Sequence, residues 1–566
     1  MQRNRKRYTW GALVGILLIV FLVYSPSLKN QFVNWDDDVH LLSNPFIRSL
    51  DARGLRDIFS ATVNKVYIPL TSLSFALEYH FFKTSAFIYH FDNVMLHLAA
   101  TVMVLVFALQ MGCSSLAAGI AALIFGLHPL HVESVAWVTE RKDVLYAFFY
   151  MAALLCYGKY LKTVISPSVS KAHCFFIFVV VLGTLSVLAK PMALSLPLIL
   201  FLCDWYVRRK FSPRLVLEKI YCFLCILPII WATYFLQMRI QDNHLPQSLL
   251  IWAWSFVFHL RKFFYPDYLT LIYKLPQPVS MANPEYFLSV FGVCILLVGW
   301  LIWRKNRMFL FAFFYYLLSI FFLLRFDAKA DLNVVADRFM YLPMVGLCIG
   351  LGAGYDRILI SLRGKKYLQY CLIFLGLALL GVLSYKTSQQ CQVWYNGVTL
   401  WEHQLKTQEK AATALTYNKL AQAYAQQANL RDDQPAVAKA IRYFDIALQI
   451  KPDYANVYFN RGNLHKRLGR PSFAEADLKR AVEFDPEHFE AYHQLGEIYS
   501  EEGRCGEGLW YLDKAMAVSR DNERMYVQVM RTLEDNIRQG RCLESSRAQI
   551  NRVKAEYSIR FKDRDF

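Results

Sequence analysis

The chain predicts an all-α protein in two parts: a polytopic bundle of membrane helices followed by a soluble α-solenoid. Three observations carry this. Of its 566 residues, 56% are hydrophobic and 16% aromatic, and the mean hydropathy is +0.26. That exceeds what a soluble domain carries. Long, nearly charge-free runs fill the first 390 residues or so and then stop. From about Thr407 the chain is polar, charged and Ala-rich, and it repeats itself with a period of 34 residues.

The first apolar run, from about Trp10 to Tyr24, follows the basic stretch "MQRNRKRY". Without a small-x-small cleavage site after it, and with many spans to come, it reads as an uncleaved first span whose N-terminus is cytoplasmic. Further runs lie near 91–110, 115–130, 144–161, 174–189, 191–207, 217–237, 285–303, 308–325, 338–356 and 367–385. The run 248–264 contains His259, Arg261 and Lys262 and reads as an interfacial or half-spanning helix on the outer side. About eleven crossings result.

The loops richest in Lys and Arg, "KYLKTVISPSVSK", "RRKFSPR", "RKNR" and "DRILISLRGKK", then all fall inside. Odd parity places residues 28–88, 131–143, 238–284, 326–337 and everything after about 386 on the opposite side. The expected location is therefore a multi-pass inner or plasma membrane protein with its soluble part on the periplasmic or luminal side.

The net charge is +18. Much of the excess sits in short loops between apolar runs, and no compact basic face interleaved with aromatics exists, so nucleic acid is not an expected partner. Most cysteines lie inside apolar runs as small buried hydrophobes. Cys222 and Cys225 share a predicted spanning helix, and neither a disulfide framework nor a zinc site is expected.

In the polar part Tyr458 pairs with Tyr492, Gly462 with Gly496, Leu478 with Leu512 and Ala481 with Ala515. Small residues at Gly462, Ala474 and Ala481 let two antiparallel helices pack closely. Pro452 and Pro486 end the second helix of each repeat. This is the tetratricopeptide (TPR) pattern. An earlier, imperfect repeat uses Tyr417, Leu420, Ala421 and Tyr424, with an insertion around "RDDQP". The expected layout is a membrane domain over 1–390, a linker over 391–410, and about three repeats with a capping helix over 411–566.

Five constellations carry chemistry. "NWDDD" places Asp36, Asp37 and Asp38 just beyond the first span. Read blandly, they are a solvated turn. Read chemically, membrane-proximal carboxylates beside an aromatic have the environment that tunes a base. His90, Asn93 and His97 share one helical face; they read as polar packing groups more readily than as metal ligands.

"HPLHVESVAWVTERKDVL" supplies His128, His131, Glu133, Glu140, Arg141, Lys142 and Asp143 in one short stretch, either as hydrated loop charges or as the wall of a polar cavity. Lys190 lies between two apolar runs, where it snorkels or meets an anion. Asp337 and Arg338 stand at the outer mouth of a span, and Arg338 suits a phosphate. Together, carboxylates, outer-side cations and an apolar bundle suit a lipid-phosphate-linked substrate reacting at the membrane surface.

The pieces "FVNWDDDVHLLSN", "YIPLTSLSFALEYHFF", "YHFDNVMLH", "HPLHVESVAWVTERKD" and "ADRFMYLPMVG", followed by TPR repeats, resemble the TMTC family. These are transmembrane and TPR-containing O-mannosyltransferases of the GT-C glycosyltransferase fold, with bacterial relatives. The resemblance covers essentially the whole chain. It implies eleven spans, an acidic pair in the first outer loop, and inverting transfer of a sugar, with mannose among the candidates. The implied donor is a polyprenyl-phosphate sugar, and the acceptor is a Ser or Thr hydroxyl of a polypeptide held in the TPR groove. The pair precedes an Asn by eight residues, which assigns Asp36 and Asp37 by their distance from Asn44. The family often has Arg where this chain has Ile68, so another cation, Lys65, Arg141 or Lys190, must meet the donor phosphate.

The expected roles follow. Asp36 or Asp37 is the base. Arg338 with Lys190 or Arg141 clamps the phosphate. His90, Asn93, His128, His131, Glu133 and Asp337 line the acceptor site or cavity. The chemistry requires no cofactor or metal, although three carboxylates leave a divalent cation open. The rival reading is a non-catalytic membrane-anchored scaffold for envelope assembly; a transporter ranks last.

Overall fold

The structure is a computed structural model describing residues 2–64, 66–165, 169–237, 245–324, 334–409, 412–431, 433–520 and 522–561. Lys65, offered above as a phosphate partner, lies outside the described residues, as do most of 326–337 and the stretch 238–244. Among the described residues the chain is helical, with a single isolated β-bridge between Val63 and Val66. It divides into two compact units, Met1–Gln408 and Glu409–Phe566.

In the first unit α1 (Gln2–Tyr24) is followed by a loop holding short 3-10 and π-helical turns and by two short helices, α2 (Ala52–Ser60) and α3 (Pro69–Phe82). Then come α4 (Ala86–Gln110), α5 (Ser115–Leu127), the one-turn α6 (Val132–Ala136), α7 (Arg141–Ile165), α8 (Val169–Ala189) and α9 (Leu196–Tyr206). The rest are α10 (Pro213–Gln237), α11 (Leu245–Phe264), α12 (Pro284–Trp303), α13 (Arg307–Ile320), α14 (Met344–Ser361), α15 (Lys366–Val393) and α16 (Gly397–Thr407).

Seven helices among the described residues are long and apolar enough to cross a membrane, and a bent pair makes an eighth. Two further expected spans, Pro191–Tyr206 and Arg307–Leu323, are shorter apolar helices. The run 217–237 lies in α10, part of whose side chains fall outside the described residues. The ambiguous run 248–264 is α11, which is not among the candidate spans.

Two local breaks position the site. The bent pair, Ser115–Leu127 with Pro129–Ala136, turns by 50° at Pro129. Proline has no N–H to continue the ladder and disfavours helical backbone at His128 before it. The His128 ring caps the break, its Nδ1 accepting the Leu130 N–H at 3.2 Å. Pro191 likewise ends α8 at Ala189 and leaves Lys190 extended.

The expected linker 391–410 is corrected. Residues 391–393 complete α15, and α16 packs within the first unit, with Trp401 fully buried. The indole of Trp401 donates to Asn34 Oδ1 at 3.0 Å, and Gln31 N donates to Tyr395 O at 2.7 Å. These bonds brace the loop that carries the aspartates.

The second unit is a run of antiparallel helix pairs: α17 (Ala414–Arg431) with α18 (Gln434–Ile450), α19 (Ala455–Arg467) with α20 (Pro471–Phe484), and α21 (Phe489–Glu501) with α22 (Cys505–Val518). A last pair, α23 (Glu523–Arg538) with α24 (Leu543–Arg560), closes it. The repeat glycines work as the spacing implies: a Cβ on Gly496 would come within 2.7 Å of Leu512. One expectation is overturned here. Cys505, at the start of α22, is bonded to Cys542, just before α24, so the unit carries a disulfide that ties the last repeat to the capping pair. The two cysteines are separated by 37 residues, a distance at which sequence spacing alone carries no pairing signal.

Candidate active site

The first loop turns sharply at Asp36, whose φ of +62° is left-handed. Only glycine takes that conformation freely, and Asn and Asp are the side chains that tolerate it best. The turn sends two adjacent carboxylates in different directions. Asp37 is buried, and its Oδ1 accepts the Trp137 indole N–H at 3.0 Å, the Thr139 N–H at 3.1 Å and the Thr139 hydroxyl. Its Oδ2 accepts Val33 N–H at 2.9 Å. Burial pushes its pKa up to about 7, while the bonds from Thr139, Val33 and Trp137 pull it back.

Asp36 differs. It is half-buried, and its carboxylate accepts no hydrogen bond and joins no ion pair among the described residues. Burial raises its pKa, with Lys142 and Arg338 acting in the opposite direction and Glu140 and Asp38 reinforcing the rise. Asp38 starts a short π-helical turn through Leu42 and accepts Val39 N–H at 3.0 Å. Asn44 caps the next turn, accepting Phe46 N–H at 3.0 Å and donating to His40 O at 3.0 Å.

The charges near Asp36 come from three separate stretches of the chain. Glu140 meets Lys142 Nζ at 3.0 Å, Lys190 Nζ at 3.4 Å and Arg338 Nε at 3.4 Å. Arg338 also pairs with Glu133, which accepts the Arg338 backbone N–H at 2.8 Å. Lys190 pairs with Asp143, whose other oxygen accepts the Ser134 hydroxyl at 3.2 Å. Three cations and three carboxylates thus form one network. Its carboxylates are almost wholly buried, whereas the side chains of Lys142 and Arg338 are 14% and 11% exposed. Trp137 stacks on Trp394 with ring centroids 5.4 Å apart, and the Arg338 guanidinium lies 5.6 Å from the Trp137 ring.

Of the residues singled out from sequence, Asp36, Lys190, Glu133 and Arg338 gather here. Arg141 does not. It pairs with Glu78 at 2.7 Å, donates to Tyr89 O at 2.7 Å and to Asn93 Oδ1, and is 2% exposed, so it ties α3, α4 and α7 together. Lys190, which has no partner nearby in sequence, has two in space. Asp337 is buried against Tyr273, whose hydroxyl donates to it at 2.8 Å, and burial together with Glu133 pushes its pKa up to about 8.

Asn93 donates to Val135 O and Trp137 O at 3.1 and 3.2 Å. His128 bonds Phe263 O at 2.9 Å and His131 bonds Phe125 O at 2.8 Å. His90 is fully buried and neither ring nitrogen has a partner of good geometry. Asn93, His128 and His131 are thus bonded to backbone carbonyls of neighbouring segments. Among the described residues no three His, Cys, Asp or Glu side chains converge as metal ligands do.

Glu140, Lys142 and Asp143 lay in the quoted charged stretch without an assigned role. The local density of charge in "TERKD" was the available signal, and it did not say which charges met which.

A tetratricopeptide-repeat model matches residues 455–488. The chain is 24% identical to mouse "Protein O-mannosyl-transferase TMTC3" over 82% of its own length and 54% of that protein's. It is 24% identical to a Caenorhabditis elegans protein O-mannosyl-transferase over 69% of this chain and 56% of the relative. It is also 39% identical to Xenopus laevis "Protein O-mannosyl-transferase tmtc2" over a segment covering 18% of this chain and 12% of the relative. The chain spans about half the length of the curated relatives it matches over most of its own length. Solved structures of MamA cover 29–30% of this chain at 16–17% identity with a TM-score of 0.24. In its membrane helices followed by TPR helices, and over most of its length, the chain is similar to the TMTC transmembrane and tetratricopeptide-repeat proteins.

Proposed function

We propose that this chain is a GT-C-type glycosyltransferase moving a sugar from a polyprenyl-phosphate donor to a Ser or Thr hydroxyl of a polypeptide, with inversion and with Asp36 as base. The observation that carries the reading is the contrast between neighbours. Asp37 spends both oxygens on four donors of its own scaffold, while Asp36 keeps an unengaged carboxylate beside Lys142, Glu140 and Arg338. His40 is the other basic group in that loop; burial holds its pKa down at about 3, which makes it the weaker base.

In the proposed step the acceptor oxygen attacks the anomeric carbon as its proton passes to Asp36. The bond from that carbon to the phosphate oxygen breaks, and the electron pair leaves on the phosphate. Arg338 and Lys142, the most exposed cations of the network, neutralise that charge. Glu140 holds them in place beforehand, so little reorganisation is needed at the moment of transfer. The names of the relatives favour mannose as the sugar on the donor. The repeat unit offers a groove of about 360 Å³ lined by Phe459, His493, Gln494, Glu497 and Arg531 for the acceptor polypeptide. Its disulfide fits an oxidising, non-cytoplasmic compartment.

The test is sugar transfer from polyprenyl-phosphate mannose to an acceptor peptide by purified full-length Asp36→Asn and Asp37→Asn. Loss of about 10²-fold or more in Asp36→Asn, with its melting temperature unchanged, is expected. Full activity in Asp36→Asn removes the assigned base. A wild-type chain inert with every polyprenyl-phosphate sugar, whose TPR unit functions on any membrane anchor, supports the scaffold instead.

A further inference from the structure

At the end of the bundle away from Asp36 lies a second polar cavity, of about 670 Å³. The two ends are set by α5: His128, beyond its C-terminus, neighbours the site, while Ser114 at its N-terminus lines this cavity. Lys305, Arg307 and Arg357 converge on it from the α12–α13 connection and the end of α14. The carboxylate opposing them, Asp356, accepts the Ser114 hydroxyl at 2.7 Å. Lys305 and Arg357 form no ion pair among the described residues. The Arg307 guanidinium lies 4.9 Å from the Trp205 ring and its buried Nε–H has no acceptor. The N-terminus of α13 adds partial positive charge to the same place.

The cavity does not stop at the charges. Asn306, Met308, Ala353 and Arg357 also line an apolar groove of about 290 Å³ that continues along α14 past Phe309, Phe313 and Leu347. From Leu347 to Arg357 is about 15 Å along a helix. That is about half the hydrocarbon thickness of a bilayer, the depth of one leaflet. Gly354 lies on the groove wall, and a Cβ there would meet nothing within 4 Å.

We propose that this cavity and groove bind an anionic glycerophospholipid of the leaflet at that end, its phosphate between Lys305, Arg307 and Arg357 and an acyl chain along α14. A basic pocket that opens between membrane helices onto an apolar groove has the chemistry of such a headgroup. The leaflet-deep groove matches an acyl chain better than a long polyprenyl. The basic stretches "RKNR" and "DRILISLRGKK" thus do more than orient the chain. The proposal is independent of glycosyl transfer.

The experiment uses the full chain in nanodiscs of equal dioleoyl phosphatidylglycerol and dioleoyl phosphatidylcholine, with retained lipid read by native mass spectrometry after gentle detergent extraction. Wild type is expected to retain phosphatidylglycerol preferentially. Lys305→Gln with Arg357→Gln is expected to lower that preference about 5-fold per cation removed. Gly354→Leu, which fills the groove with a better helix former and meets open space, is expected to abolish retention while the melting temperature holds. Equal retention of both lipids, or variants that behave as wild type, overturns the proposal. Displacement of the lipid by millimolar inorganic phosphate makes this a free-anion site and also overturns it. So does stronger retention of added polyprenyl phosphate than of phosphatidylglycerol.

Discussion

The indole N–H of Trp137 donates to Asp37 Oδ1 at 3.0 Å, joining the first loop to the stretch that opens α7. Thr139, two residues on, adds its N–H and hydroxyl to the same oxygen. Asp37 is therefore the clasp that holds Asp36 against Glu140, Lys142 and Arg338, and the two aspartates carry different tasks.

Replacing Asp37 by Ala leaves several buried donors unpaired. A loss of about 2–5 kcal/mol is expected, read as a drop in melting temperature of the detergent-solubilised chain. Asp36→Asn should melt like wild type, because Asn tolerates the left-handed backbone. Equal melting of Asp37→Ala and wild type contradicts the clasp.

Activity should fall with acidification. Asp36 acts as a base only when ionised, and burial raises its pKa above the usual value of about 3.9. The acid limb of kcat/KM is therefore expected above the ordinary aspartate range, with rate lost as pH drops through it. A profile flat down to pH ~4 does not fit.

Arg141 and Glu78 form a buried pair at 2.7 Å. Arg141→Ala should cost about 3–5 kcal/mol, since it strands the Glu78 carboxylate among packed helices. Arg141→Lys should rescue only part of this, as one ammonium does not reproduce the fork that meets Glu78, Tyr89 O and Asn93. Normal melting with a raised donor KM in Arg141→Ala would return Arg141 to the phosphate set.

Loss of the Cys505–Cys542 bridge through paired Ser substitutions should destabilise the repeat unit by about 2–4 kcal/mol. Limited proteolysis of the full chain reads this as faster cleavage within 505–561. Dithiothreitol should reproduce the effect in wild type and leave the double variant unchanged.

The membrane helices and the repeats were legible because both are periodic along the chain. A run of apolar residues long enough for a bilayer announces itself locally, and small residues recurring every 34 positions do the same. Asp36 and Arg338 were legible as charged residues at or just beyond the ends of apolar runs. The partnership of Lys190 with Asp143 was not, because 47 residues and a Pro-terminated helix separate them. Nor was that of Arg338 with Glu133, 205 residues apart.

Arg141 and Lys142 show where the boundary falls. Local sequence determined that both sit in the first turn of α7, and their charge marked that turn as unusual beside a membrane. Successive residues of a helix point about 100° apart. Arg141 thus reaches Glu78 on α3, while Lys142 reaches Glu140 near Asp36. Which of two adjacent cations serves packing and which faces the site depends on what each direction meets, and only the packed bundle decides that.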